Sequence, residues 1–265
     1  MSRPVPFCWY ELMTGNLAVA SDFYGKVIGW RLSKSDPQSP MDYRMILRSD
    51  GGTTGGALQL TDQMRAGGAR PVWVPYFAVA DIDAGLGALQ ADGGKVLMPR
   101  TDIAEGSFAM VTDPQGAPFY LMQPRPPADR PDAKSDAFKA DGVQHVRWNE
   151  LPTSDAEGAK AFYARHFGFE FNSSMPMGEM GNYDFIDFDG HVLGAIMPQM
   201  DKARPPSWLV YFGVPSTFAA KSAIEAAGGT VMMGPHEVPG GDWIIVATDP
   251  DGAVFGVVGP KGEDA

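Results

Sequence analysis

Glu11 and Glu150 are the residues whose type and spacing could do chemistry. Each stands in the same short string, Trp9-Tyr-Glu-Leu-Met-Thr14 and Trp148-Asn-Glu-Leu-Pro-Thr153, at an offset of 139 residues. Both strings read as strands, so the Trp and the Glu of each share one face. A carboxylate set among aromatic rings either gains a donor partner or takes up a proton, and a raised proton affinity is what a general base near neutrality requires. The competing reading is a structural carboxylate that accepts backbone or Arg hydrogen bonds, and repetition fits both.

Aromatic residues surround the two carboxylates. Trp9, Met13, Tyr76 and Tyr120 in the first half, and Trp148 and Tyr211 in the second, fall on the Glu-bearing strand face, while Tyr43 and Tyr183 repeat on the second strand of each half. Indole and phenol groups combine flat apolar area with a donor, which suits a planar or ring-containing ligand or, equally, a filled core. The methionines Met41, Met45, Met175, Met177, Met180, Met232 and Met233 are placed to rim such a site, where their pliable side chains adapt to irregular shapes. Four histidines, His145, His166, His191 and His236, share no helical or hairpin spacing and read as surface or boundary residues. Cys8 is the single cysteine, which excludes an internal disulfide or a thiolate metal cluster and reads as a buried structural thiol.

Composition narrows the partners. The 265 residues carry 21 basic and 32 acidic side chains, a net charge of −11, which repels nucleic acid and anionic membranes. No stretch of about 18 apolar residues and no leader-like segment occurs, so a cytoplasmic protein acting on a small molecule is expected, with no nucleic acid and no membrane as partner. The sequence Gly51-Gly-Thr-Thr-Gly-Gly56 lacks the Lys-Ser/Thr ending of a phosphate loop and reads as a hairpin loop.

The elements that must position these residues come from an internal repeat. Phe23-Tyr24 with Gly29-Trp30 matches Phe162-Tyr163 with Gly168-Phe169, and Gly56-Ala57 pairs with Gly194-Ala195. Trp73 to Val79 matches Trp208 to Val214, and Asp113-Pro-Gln-Gly-Ala117 matches Asp249-Pro-Asp-Gly-Ala253. Ala20, Phe23, Tyr24, Val27 and Ile28, and their counterparts from Ala159 to Phe167, recur at helical spacing behind an Asn16 cap, with Gly29 and Gly168 at the left-handed end. Strand, helix and three strands occur twice per half. The expected fold is α+β, with four βαβββ modules forming two curved, mostly antiparallel sheets. Expected domains are 1–124 and 143–261, joined by a Pro-rich linker 125–142 and followed by a tail 262–265. Four modules in one chain predict a monomer with intrachain module pairing and leave a dimer open.

The order of these motifs resembles the vicinal oxygen chelate superfamily of glyoxalase I, bleomycin-resistance proteins and extradiol dioxygenases. The resemblance implies cups built from paired modules, within a half or across the two, with a small molecule bound inside. It also implies a divalent metal held by His, Gln or Glu on the first, fourth, fifth and eighth strands of each pair. Here those positions hold Trp9 or Trp148, Gln59 or Met197, Val74 or Leu209, and Tyr120 or Gly256. Only Gln59 could ligate, and one neutral amide does not hold an ion, so no metal and no other cofactor is expected. Three functions follow: a metal-free binding protein of the bleomycin-resistance type, in which Trp9, Tyr43, Gln59, Tyr76, Tyr120, Trp148, Tyr183 and Tyr211 hold the ligand; an isomerase, lyase or hydroxylase-like enzyme using Glu11 or Glu150 as base; and a metal enzyme with unusual ligands.

Overall fold

The computed structural model describes residues 6–39 and 41–263. The first half contains β1 (Phe7–Thr14), α1 (Leu17–Val27), β2 (Arg31–Leu32), β3 (Tyr43–Leu47), β4 (Thr53–Gln59), α2 (Asp62–Ala66), β5 (Val72–Ala78), α3 (Ile82–Ala91), β6 (Lys95–Ile103), β7 (Gly106–Thr112) and β8 (Pro118–Pro124). The second contains β9 (Val146–Thr153), α4 (Ala156–Phe167), β10 (Ser174–Pro176), β11 (Asn182–Phe188), β12 (His191–Pro198), β13 (Leu209–Gly213), α5 (Thr217–Ala226), β14 (Thr230–Glu237), β15 (Trp243–Thr248) and β16 (Val254–Gly259). Two eight-stranded mixed sheets run in the orders β2-β3-β4-β1-β5-β8-β7-β6 and β10-β11-β12-β9-β13-β16-β15-β14, so the expected four-module α+β fold is present. In every module the first strand pairs in parallel with the last, and the hairpins are antiparallel.

Helix α1 begins where Asn16 accepts from the amides of Ala18 and Val19, and it buries Ala20, Phe23, Tyr24 and Val27 of the stripe read from the sequence, together with Leu17, while the fifth member, Ile28, is buried at the C-cap. Gly29 and Gly168 follow the two Phe-Tyr helices at φ +86° and +70°, conformations that a residue with Cβ adopts only at a cost.

Contacts divide the chain into two compact units. One comprises the described residues up to Cys8 with Val74–Ser135 and Asn149–Leu209; the other comprises Trp9–Trp73, Asp136–Trp148 and the chain from Val210 on. Each unit therefore joins a module of one sequence half to a module of the other.

The same three-residue bond chain lies buried in both. In the second unit Trp73 Nε1–H donates to Tyr24 Oη at 2.8 Å, and Tyr24 Oη–H donates to Asp249 Oδ2 at 3.1 Å. In the first, Trp208 Nε1–H donates to Tyr163 Oη at 3.1 Å, and Tyr163 donates to Asp113 Oδ2 at 3.2 Å. Each Asp also accepts the amide that closes its own turn, Ala117 or Ala253. The repeated Phe-Tyr helix and the repeated Asp-Pro turn, far apart in sequence, are thus one joint. Aromatic packing surrounds it: Phe23 and Tyr24 meet Phe255 edge-on, and Phe77 packs on Phe7, Phe119 and Phe167.

Two readings need correction. Thr53 to Gly56 belongs to strand β4 and not to a loop, because a Cβ at Gly55 would lie 1.8 Å from Tyr10 O; glycine here permits close strand approach. The repeat is also misaligned by one residue in this strand. Tyr10 pairs with Gly55 and Asn149 with Gly194, and a Cβ at Gly194 would meet Asn149 O at the same 1.8 Å. Gly55 therefore corresponds to Gly194, Gly56 to Ala195 and Leu58 to Met197, and Gln59 to Pro198.

Just past the expected linker 125–142, the start of the second half is bonded to the first. Gln144, at φ +66°, donates its amide to Gly213 O and its side chain to Ile28 O and Gly29 O, and accepts from Ser49 N, Trp30 Nε1 and Thr54 Oγ1.

Burial pushes the Asp113 and Asp249 carboxyls up against the bonds that would lower them. The folded chain then binds these protons more tightly than the unfolded chain. Their contribution to stability is largest below the ordinary carboxylate value of 3.8 and declines as pH rises through the raised one. Urea unfolding between about pH 4 and pH 7 should show that decline, flattened in Asp249→Asn. Tyr24→Phe and Tyr163→Phe should each cost roughly 1–3 kcal/mol, since each strands a buried indole N–H.

Candidate functional site

Strand alternation sends Trp9, Glu11 and Met13 to one side of β1 and Tyr10, Leu12 and Thr14 to the other. Through the β1, β4 and β3 register, Gly56 lies beside Glu11 and opposite Met45, and Leu58 lies beside Met13 and opposite Tyr43. On this face Trp9 Nε1–H donates to Tyr43 Oη at 2.8 Å. Glu11 is only 3% exposed. In the same unit Tyr211 lies against Gly256, where an added Cβ would sit 2.2 Å from the Tyr211 ring, and Trp148 is half-buried on β9.

The other unit carries the matching pieces. Tyr76 stacks on Tyr120 with ring centroids 4.1 Å apart, and Phe108 lies beside both. Their face is opposite that of Phe77, which packs on α4 through Phe167 and Tyr163. Tyr183 Oη–H donates to half-buried Glu150 Oε2 at 2.8 Å, and Phe185 meets Tyr183 edge-on. The structure thus brings together three pairs among the expected site residues: Trp9 with Tyr43, Tyr76 with Tyr120, and Glu150 with Tyr183.

Gln59 stands apart from them. Its Oε1 accepts from Leu17 N at 3.1 Å and its Nε2 donates to Gly15 O at 2.6 Å, so the amide fastens the start of α1. Desolvation pushes the Cys8 thiol up to about 12, and its sulfur lies 3.5 Å from Tyr76 O, as suits a structural thiol and not a nucleophile.

One grouping was not read from the sequence. His145, expected at the surface or a boundary, is buried, and its Nε2 lies 3.9 Å from Asp50 Oδ2 and 4.0 Å from Asp136 Oδ2. Asp50, Asp136 and His145 offer ligand atoms within 4.8 Å of one another, a grouping that could hold a cation. The buried Arg48 already lies against both carboxylates, with Nε 3.1 Å from Asp50 and Nη2 2.5 Å from Asp136. Arg48 and its neighbours hold the Asp50 carboxyl below its usual range, after the Gly52 amide that contributes most. A metal ion here would compete with a guanidinium already in place. His166, on the helix stripe, bonds Asp92 at 2.9 Å.

The sequence pattern of the Glyoxalase/Bleomycin resistance protein/Dioxygenase superfamily matches residues 7–121 and 142–257. The chain belongs to this superfamily. Over 258 residues it is 33% identical to the "Putative glyoxylase CFP32" of Mycobacterium tuberculosis, covering 95% of this chain and 94% of that protein. It is 27% identical to the anthracycline biosynthesis protein DnrV of Streptomyces peucetius, covering 94% and 91%. The Mn(II)-bound glyoxalase from Novosphingobium aromaticivorans has the same fold, with a TM-score of 0.63 at 17% identity over 100% of this chain and 85% of that one.

Superfamily membership raises the question of a metal at the family position, and the donor set answers it. The indole of Trp9 is a donor without a lone pair and is already bonded to Tyr43, the Gln59 amide is bonded to backbone, and Tyr120 is stacked on Tyr76. The equivalent positions in the second half hold Trp148, Leu209 and Gly256, with Met197 one residue out of register. These residues do not fit a divalent ion. Gln59→Ala should lower unfolding stability by roughly 1–2 kcal/mol, measured by chemical denaturation, through the two backbone groups it leaves unpaired.

Proposed function

We propose that this chain binds a small ring- or carbonyl-bearing molecule on the sheet faces that carry Glu11 and Glu150. Aromatic side chains and these carboxylates, and not a divalent ion at the family position, make the contacts. The observation that carries this reading is the bond from Trp9 Nε1 to Tyr43 at 2.8 Å: an indole donor occupies the place of the first ligand and is locked into the wall. Tyr43 and the Tyr76–Tyr120 stack supply flat area with hydroxyl groups at its edge, the composition that recognises rings. A ring-bearing ligand also agrees with the Streptomyces relative named for anthracycline biosynthesis.

Titration with 1,4-naphthoquinone, followed by quenching of the native tryptophans, tests the proposal. Saturable binding is expected, with Kd unchanged within about twofold by added Mn, Ni, Zn or Fe, and weakened about tenfold in Glu150→Gln, or 1.4 kcal/mol. Binding that appears only after a metal is added would overturn it.

A second reading has an observation of its own. The hydrogen bond from Tyr183 orients Glu150 on a half-buried face, which is how a proton-transfer base is positioned. It predicts deuterium wash-in at the acidic C–H of bound 2-hydroxyacetophenone, abolished in Glu150→Gln; equal wash-in with and without protein would remove this reading.

A further inference from the structure

The Phe-Tyr helices of the two units end beside different side chains. In the second unit the Gln144 amide closes α1: its Nε2 donates to Ile28 O at 3.1 Å and to Gly29 O at 2.8 Å. The last carbonyls of a helix have no partner within it, so donors from elsewhere must meet them. Next to Gln144 in this unit stand His145 and Arg48, both polar and both buried.

The first unit repeats the backbone at this place. Ala78 N donates to Pro6 O at 2.8 Å as Gly213 N donates to His145 O at 2.9 Å, and Phe167 and Gly168 finish α4 where Ile28 and Gly29 finish α1. The side chains do not repeat. Pro6 takes the place of His145 at the offset of 139, and the register of the β11–β12 hairpin puts Phe188 where the β3–β4 hairpin has Arg48. Position 5, which lies outside the described residues, is valine in the sequence where the second half has Gln144, and valine has no side-chain donor.

A cavity of about 460 Å3 lies at this end of α4, walled by Pro6, Val79, Ala84, Ala88, Phe167 and Phe188. That is room for a small molecule. Arg165 and His166 also line it, but Arg165 is paired with Asp92 and His166 Nε2 lies 2.9 Å from the same carboxylate, so neither invites a charged ligand.

We propose that this cavity binds a neutral small molecule that carries a primary carboxamide on an apolar body. The two N–H groups of the amide donate to Phe167 O and Gly168 O, the bonds that Gln144 makes to Ile28 O and Gly29 O, and the body packs on Pro6, Phe167 and Phe188. One half of the chain carries in its own sequence the group that the other half takes from solution. The cavity lies on the helix side of the sheet, away from the faces that carry Glu11 and Glu150, and the proposal does not rest on the function proposed above.

Titration of the full chain with 4-fluorobenzamide, followed by its 19F signal, tests this. Saturable binding is expected, about tenfold tighter than that of 4-fluoro-N,N-dimethylbenzamide, which keeps the ring and the carbonyl but has no N–H. Ala84 and Ala88 are exposed on α3, and leucine is nearly as good a helix former as alanine, so the double variant Ala84→Leu, Ala88→Leu narrows the cavity and keeps the fold. It should weaken 4-fluorobenzamide at least about tenfold. In the parent protein labelled with 13C-histidine, the ring signals of His166, assigned by their loss in His166→Gln, should shift as the probe saturates. Absence of saturable binding overturns the site, as do His166 signals that stay unmoved at saturation. Equal affinity for the two fluorinated probes overturns the carboxamide. Binding that survives in the double variant but weakens in Glu150→Gln belongs to the sheet faces; it supports the function proposed above and overturns this second site.

Discussion

A buried carboxylate bonded to a buried phenol sets the geometry of each unit. Asp249 would not be stable in so dry a place as a bare anion, and its turn amides alone satisfy only one side of it. Tyr24 supplies the other side and is itself held by Trp73. Burial, and then the neighbouring carboxylate, push the Tyr24 phenol well up, which favours the neutral, donating form. Tyr163 with Asp113 repeats the arrangement. Since the phenol belongs to a helix of one sequence half and the carboxylate to a turn of the other, neither half can place its helix without its counterpart.

The joint also decides which strand faces remain for function. Phe77 and Trp73 point into the helix-packed layers, so Tyr76 is turned to the other face of its strand. Glu11 and Trp9 alternate in the same way with the fully buried Tyr10 and Leu12. Alternation thus divides the aromatic side chains of these strands: Phe77, Trp73 and Tyr10 go to one side, and Trp9 and Tyr76 to the other.

Much of this was legible because the repeat is nearly in register. The offset of 139 residues marks both Glu strings, both Phe-Tyr helices and both glycine caps, and these depend on local rules of period and capping. What escaped depends on contacts remote in sequence. The glycines of β4 look like a loop by composition, and only the approach of Tyr10 O shows why a strand needs Gly55. That error shifted the strand by one residue and hid the match of Gly56 with Ala195; counting 139 throughout would have exposed it. Gln59 has the right type for a ligand, but its target, the backbone at the start of α1, is invisible without coordinates. Helix α2, only five residues long, carries no buried stripe to betray it.

The stretch before β9 shows the limit of composition most clearly. Proline and charge suggest a spacer that ends at 142, and the edge of a spacer would place little demand on position 144. Gln144 instead satisfies backbone groups on both sides of the α1 to β2 turn and at Ser49, and its own carbonyl accepts from Trp30 and Thr54. Arg48 and Asp136 add an ion pair to the same clasp, with His145 beside it. Ile28, Trp30 and Thr54 are buried and would lose these partners if the segment were merely tethering, and unpaired buried polar groups are what a fold of marginal stability does not tolerate. Asp136 to Trp148 accordingly belongs to the unit that holds the first and fourth modules.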